Sequence, residues 1–137
     1  MIEKMAEFLS TCPYLAESGV KVNYLEAEPF SAALIMCGED IPLTRYTDGG
    51  QIRSMNFILA LRQEYSGANT HNNLAAKRCE EIEEWVNVQN DNGILPETED
   101  KRRVMSVSVE KGFEIIHTGS VDARFEAEIK VVYFMEK

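Results

Sequence analysis

The sequence predicts an α+β fold: a mainly antiparallel sheet with helices packed on one face. Three observations carry this. Residues 51–65 and 123–135 alternate apolar and polar side chains with period two, residues 70–90 repeat apolar positions with helical spacing, and short turn signals separate the strand-like stretches. Strands joined by short turns, with one long helix inserted, give an antiparallel sheet with a helical cover.

Residues 1–11 predict a short amphipathic helix. Ile2, Met5, Ala6 and Leu9 fall at i, i+3, i+4 and i+7, and Cys12-Pro13 ends the run. Residues 20–25 alternate as a strand, Pro29 breaks the pattern, and 31–37 predict a second strand buried on both sides. Gly38-Glu39-Asp40 and Pro42 read as a loop.

The stretch 51–65 is the element around which the chain is organised. Met55, Phe57, Leu59 and Leu61 share one face, continued by Arg53, Gln63 and Tyr65. Ser54, Asn56, Ile58, Ala60, Arg62 and Glu64 fill the other, which gives one buried and one mixed face. A helix fits less well, because the polar residues do not gather on one helical side. Asp48-Gly49-Gly50 turns the chain into this strand, and Ser66-Gly67-Ala68-Asn69 ends it.

The helix over 70–90 carries Ala75, Cys79, Ile82 and Val86 on one stripe, widened by Leu74 and Trp85. Thr70 suits the N-cap, and Gly93 suits the first residue past the C-terminus, with Pro96 following. Glu80, Glu81, Glu83 and Glu84 predict a solvated outer surface. Residues 104–109 set Met105, Val107 and Val109 against Ser106 and Ser108; Gly112 marks a bulge, and 113–117 resume the strand. Residues 118–122 form a hairpin loop before 123–135, where Ala123, Phe125, Ala127, Ile129, Val131 and Tyr133 face one way.

At 137 residues the chain forms one domain, 1–137, long enough to bury a core. The opening residues Glu3, Lys4 and Glu7 are unlike a signal-peptide core. No apolar run approaches the roughly 20 residues that span a bilayer. Three widely spaced cysteines, Cys12, Cys37 and Cys79, predict free thiols in a reducing compartment. A net charge of −9 argues against adhesion to nucleic acid or an anionic membrane. The one basic cluster, Lys101-Arg102-Arg103, follows Glu97, Glu99 and Asp100 and reads as a neutralised loop.

Catalytic signals are absent from this pattern. His71 and His117 have no partners at metal-ligand spacing, and Cys79 sits on the apolar helix stripe. His71 precedes Cys79 by eight residues, about 12 Å along a helix, too far to activate it. A calcium loop at 87–99 fails because Val88 would stand at the first ligand position and Pro96 intrudes. Residue pattern alone reaches a soluble, non-catalytic α+β domain with no cofactor or metal.

Arg45-Tyr46-Thr47-Asp48-Gly49-Gly50, the strand with Phe57, the helix with Trp85, Gly93-Ile94-Leu95-Pro96 and the closing hairpin through Phe125 and Tyr133 occur in a distinctive order. Over residues 20–135 this order resembles phage and prophage minor capsid or tail-completion proteins of Gram-positive hosts, similar to tail terminators. The resemblance implies a tail-terminator-like domain that caps the tail tube as a hexameric ring. Such a ring stops tube growth and joins the tube to the neck, connector or sheath proteins. It implies a virion or tail-like particle assembled in the host cytoplasm. DNA would pass through without specific binding, and no membrane is involved.

Candidate contacts to subunits or partners are Arg45, Tyr46, Asp48, Arg53, Arg62 and Glu64; acidic candidates for the lumen are Glu97, Glu99 and Asp100. The competing readings are a neck or head-completion protein that binds the connector, and a non-viral module with a small-molecule pocket between helix and sheet.

Overall fold

The computed structural model describes residues 1–27, 30–65, 69–98 and 101–137, with backbone alone at 69–71. Its elements are α1 (Ile2–Ser10), β1 (Lys21–Val22), β2 (Ser31–Arg45), β3 (Gln51–Glu64), α2 (Asn69–Asp91), β4 (Arg102–Thr118) and β5 (Asp122–Met135). The strands form one sheet in the order β1-β2-β3-β5-β4, so the stretch at 51–65 lies in its middle. β2, β3, β5 and β4 pair antiparallel, while β1 lies parallel to β2 through Lys21↔Ala33 and Val22↔Leu34. The fold is therefore α+β, with a mixed but mainly antiparallel sheet.

Period two decides which side chains are buried. Along β5 buried and half-buried residues alternate without a break from Asp122 to Tyr133. Register sets Leu61 opposite Phe125, Leu59 opposite Ala127 and Phe57 opposite Ile129, so β3 and β5 present one continuous apolar face. Met5 and Leu9 from α1 and Ala75, Cys79, Ile82 and Val86 from α2 join that face in one core cluster. Phe8 and Trp85 bring the two helices together, their ring centroids 5.3 Å apart. Both helices cover the same side of the sheet.

Helix α2 ends as its sequence predicts. Gly93 takes φ +72°, where a Cβ would be strained. Its N–H donates to Asn90 O at 3.1 Å and the Ile94 N–H to Gln89 O at 2.9 Å, the Schellman pair that satisfies the last carbonyls. The expected cap at Thr70 and the turn at 66–68 lie outside the described side chains and residues. Leu74 does not widen the apolar stripe: it is 59% exposed, because the stripe through Ala75 and Cys79 already meets the sheet.

Three further expectations need correction. The strand at 20–25 shrinks to two residues, because Asn23 turns into the left-handed region at φ +58°. The segment 38–42 is not a loop; β2 continues to Arg45, and only its register slips between Cys37 and Ile41 and between Pro42 and Thr44. Gly38 at φ +74° absorbs the first irregularity, and pairing to β3 resumes at Ile41↔Ser54. Lys101-Arg102-Arg103 is likewise no neutral loop, since Arg102 and Arg103 open β4.

β4 runs as one strand with bulges at Val104/Ser106 and on both sides of Lys111. The first bulge turns Met105 to solvent and keeps Val104 and Val107 in the core. Its outer edge is guarded by α2. Asn90 accepts a hydrogen bond from the Val107 N–H at 3.0 Å, and Glu83 accepts one from the Phe113 N–H at 3.2 Å.

Candidate functional site

The bulge in β2 carries Asp40 back over the sheet. There its carboxylate accepts hydrogen bonds from Arg53 Nε at 2.9 Å and from the Tyr133 hydroxyl, while Arg53 Nη2 reaches Asp40 O at 3.1 Å. Gln51 holds the third corner of the same guanidinium, 2.6 Å from Nη1. Tyr133 is fully buried, and burial followed by the Asp40 hydrogen bond raises its phenol pKa. The hydrogen bond to Asp40 likewise makes Arg53 harder to deprotonate. Arg53 thus spends its guanidinium on Asp40 and Gln51 of its own chain.

Beyond this network the strand ends form a compact platform. Register aligns Arg45, Gln51, Met135 and Arg102 in one row across four strands. In the turn, Asp48 Oδ1 accepts the Gly50 N–H at 2.8 Å, and Gly49 takes φ +93°. Tyr46 stacks against Phe134 at 6.2 Å between centroids, and Arg103 lies over the same ring at 5.8 Å. Arg102 lies over Tyr133 at 5.7 Å on the opposite side of the sheet. Arg45, Tyr46 and Asp48 therefore lie at the same end of the sheet as Arg102 and Arg103, and Tyr46 and Arg103 share the Phe134 ring.

Arg62 and Glu64 belong elsewhere. They lie at the far end of β3 from Gln51, about 40 Å away along an extended strand. Arg62 is opposite Arg124 in the sheet, a repulsive pair relieved by separate partners. Arg62 reaches Glu26 O at 2.9 Å and Asp122 at 3.8 Å, and Arg124 reaches Glu126 at 2.8 Å. The six candidate contact residues thus divide between two ends of the sheet. Of the acidic candidates, Glu97 is exposed; Glu99 and Asp100 lie outside the described residues. The neighbouring Thr98 hydroxyl donates to Arg102 O at 2.6 Å, which brings Glu97 close to the platform.

No protein-family model matches the chain, and no curated protein matches its sequence. The surface itself carries the functional argument.

The sheet face opposite the helices is the other feature of that surface. Asn56, Ile58, Glu126, Glu128 and Lys130 spread over it, and among the described residues neither helix packs there. Near the platform it bears a shallow groove of about 350 Å³ lined by Cys37, Ile41, Leu43, Asn56, Glu128 and Lys130. Ile41, Leu43 and Tyr46 are each about half exposed (52%, 51% and 48%). Large apolar side chains next to fixed charges have the composition of a contact surface.

Sequence reasoning missed Asp40, whose two partners stand 13 and 93 positions away. It also missed the task of Gln63, a buried amide that donates to Ala75 O at 3.3 Å and lies 3.4 Å from Cys79 Sγ. An amide in a buried register position was the available signal. Among the described residues, no group of three or more His, Cys, Asp or Glu side chains could hold a metal ion. None of the described helices is long and apolar enough to cross a membrane.

Proposed function

We propose that this protein is a tail-completion component that caps the end of a phage or phage-like tail tube as a ring and joins it to the neck. The observation that carries the reading is the sheet end where half-exposed Tyr46 packs on Phe134 beside Arg103, with half-exposed Ile41 and Leu43 further along β2. A one-sided helical cover leaves the opposite face and this end available to neighbouring copies or to the tube. The order of sequence motifs that resembles tail-terminator proteins gives the partner its identity.

The network at Asp40 suits this role because it stiffens the surface before any partner arrives. A contact surface already held in place loses less conformational entropy on binding. In the ring, the net charge of −9 per copy would disfavour adhesion of passing DNA.

Sedimentation of the purified protein, alone and mixed with a phage tail tube protein, tests the proposal. The expected result is a ring, or comigration with tube ends. A strict monomer in both conditions, with no comigration, overturns it.

A further inference from the structure

A cleft of about 420 Å³ lies between the turn that follows α1 and the middle of α2, lined by Pro13, Tyr14, Glu17, Ser18, Phe30 and Arg78. We propose that it binds an aromatic carboxylate, with the carboxylate on Arg78 and the ring against Tyr14 and Pro13. The inference does not depend on the ring-forming role.

One wall is preformed. The Leu15 and Ala16 N–H groups both donate to Cys12 O at 2.9 Å, and the Gly19 N–H donates to Leu15 O at 2.8 Å. The Ser18 hydroxyl is spent on Leu15 O and Gly19 O at 3.3 and 3.0 Å, so it shapes the wall rather than greeting a ligand. The opposite wall is Arg78, whose guanidinium carbon stands 4.2 Å over the Phe30 ring.

Held against that ring on the cleft wall, the guanidinium has a planar fork of N–H donors, the group that takes a carboxylate through two parallel hydrogen bonds. Among the described residues no ion pair occupies Arg78. Phe30 reaches its place under Arg78 with φ +49°, a conformation a bulky aromatic residue rarely adopts. Strain of this kind concentrates where a side chain is held for a purpose. Tyr14 is 40% exposed and, with Pro13, offers the flat apolar surface an aryl group needs. Glu17 sets one negative charge on the lining, which opposes ligands with a second acidic group.

The test is an NMR titration of the ¹⁵N-labelled full chain with 3-phenylpropionate and with the peptide acetyl-Gly-Gly-Phe, each beside its uncharged amide. Saturable shifts confined to Tyr14, Ser18, Phe30 and Arg78 are expected, with the amides at least about tenfold weaker, the size of one lost charged hydrogen bond. Binding of the free acid alone identifies a small-molecule site, and binding of the peptide identifies a chain terminus; both support the proposal. Arg78→Gln should abolish binding. Arg78→Lys should weaken it, because an ammonium keeps the charge without the flat fork. Arg103→Gln, at the far platform, should leave it unchanged. No saturable shift with either acid, or equal binding of acids and amides, overturns the proposal.

Discussion

Tyr133 donates its phenolic hydrogen to the carboxylate of Asp40, 93 positions earlier in the chain. Arg53 grips the same carboxylate, and the three side chains fasten β2 to β3 and β5. Asp40→Ala should lower stability by about 1.5–3 kcal/mol, because it strands a buried hydroxyl and a cation together. Urea unfolding of Asp40→Ala, Tyr133→Phe and the double variant checks this. Strictly additive losses would show that the two residues are not coupled.

Burial raises the Cys79 thiol from its ordinary 9.0 to about 11, with the Gln63 hydrogen bond acting partly against it. The folded state therefore holds this proton more tightly than the unfolded chain. Its contribution is fully present below pH 9 and is lost as pH rises from 9 toward 11, amounting to roughly 2–3 kcal/mol for a two-unit shift. Tyr133 and Cys12 are shifted in the same direction. Stability followed from pH 8 to 11.5 should fall, and Cys79→Ala should flatten part of that slope. An unchanged slope in the variant refutes the assignment.

Glu83 reaches over Gly112 to accept the Phe113 N–H. A Cβ on residue 112 would collide with that carboxylate, so Gly112→Ala should cost about 1 kcal/mol by displacing it. Glu83→Gln keeps an acceptor oxygen and should cost less than about 0.5 kcal/mol. If Gly112→Ala proves neutral in thermal unfolding, the clamp between α2 and the edge of β4 does not matter.

The contact platform makes a separable prediction. Leu43→Ser with Tyr46→Ser should change monomer stability by about 1 kcal/mol or less, since both side chains are half exposed. The same pair should abolish comigration with tube protein. Asp48→Ala removes the Gly50 hydrogen bond and should lower stability by about 1 kcal/mol. Full assembly by the double variant would remove the platform from the interface.

Duplex DNA should bind the assembled protein weakly or not at all at physiological salt, because counterion release needs several converging Lys or Arg contacts. Arg102 lies over Tyr133 and Arg103 over Phe134, so each guanidinium is drawn to a ring of its own chain. A mobility-shift titration decides. Tight, salt-sensitive binding lost on neutralising Lys101, Arg102 and Arg103 would identify a DNA-gripping neck component instead.

The sequence by itself determined the elements whose periodicity is local. Alternation in β3 and β5, the stripe Ala75, Cys79, Ile82 and Val86, and the Gly93 cap all follow from side chains a few positions apart. The bulge in β2 could not be read this way. Gly38 and Pro42 favour a loop by local chemistry, and only pairing with β3 and the hold of Arg53 and Tyr133 on Asp40 keep that segment in the sheet. The same is true of the division of Arg45, Tyr46 and Asp48 from Arg62 and Glu64, which depends on the length of one strand. Period two says which face a residue takes, but the register between strands and the side that helices cover depend on contacts between residues far apart in the chain. Those contacts leave no periodic trace in the sequence.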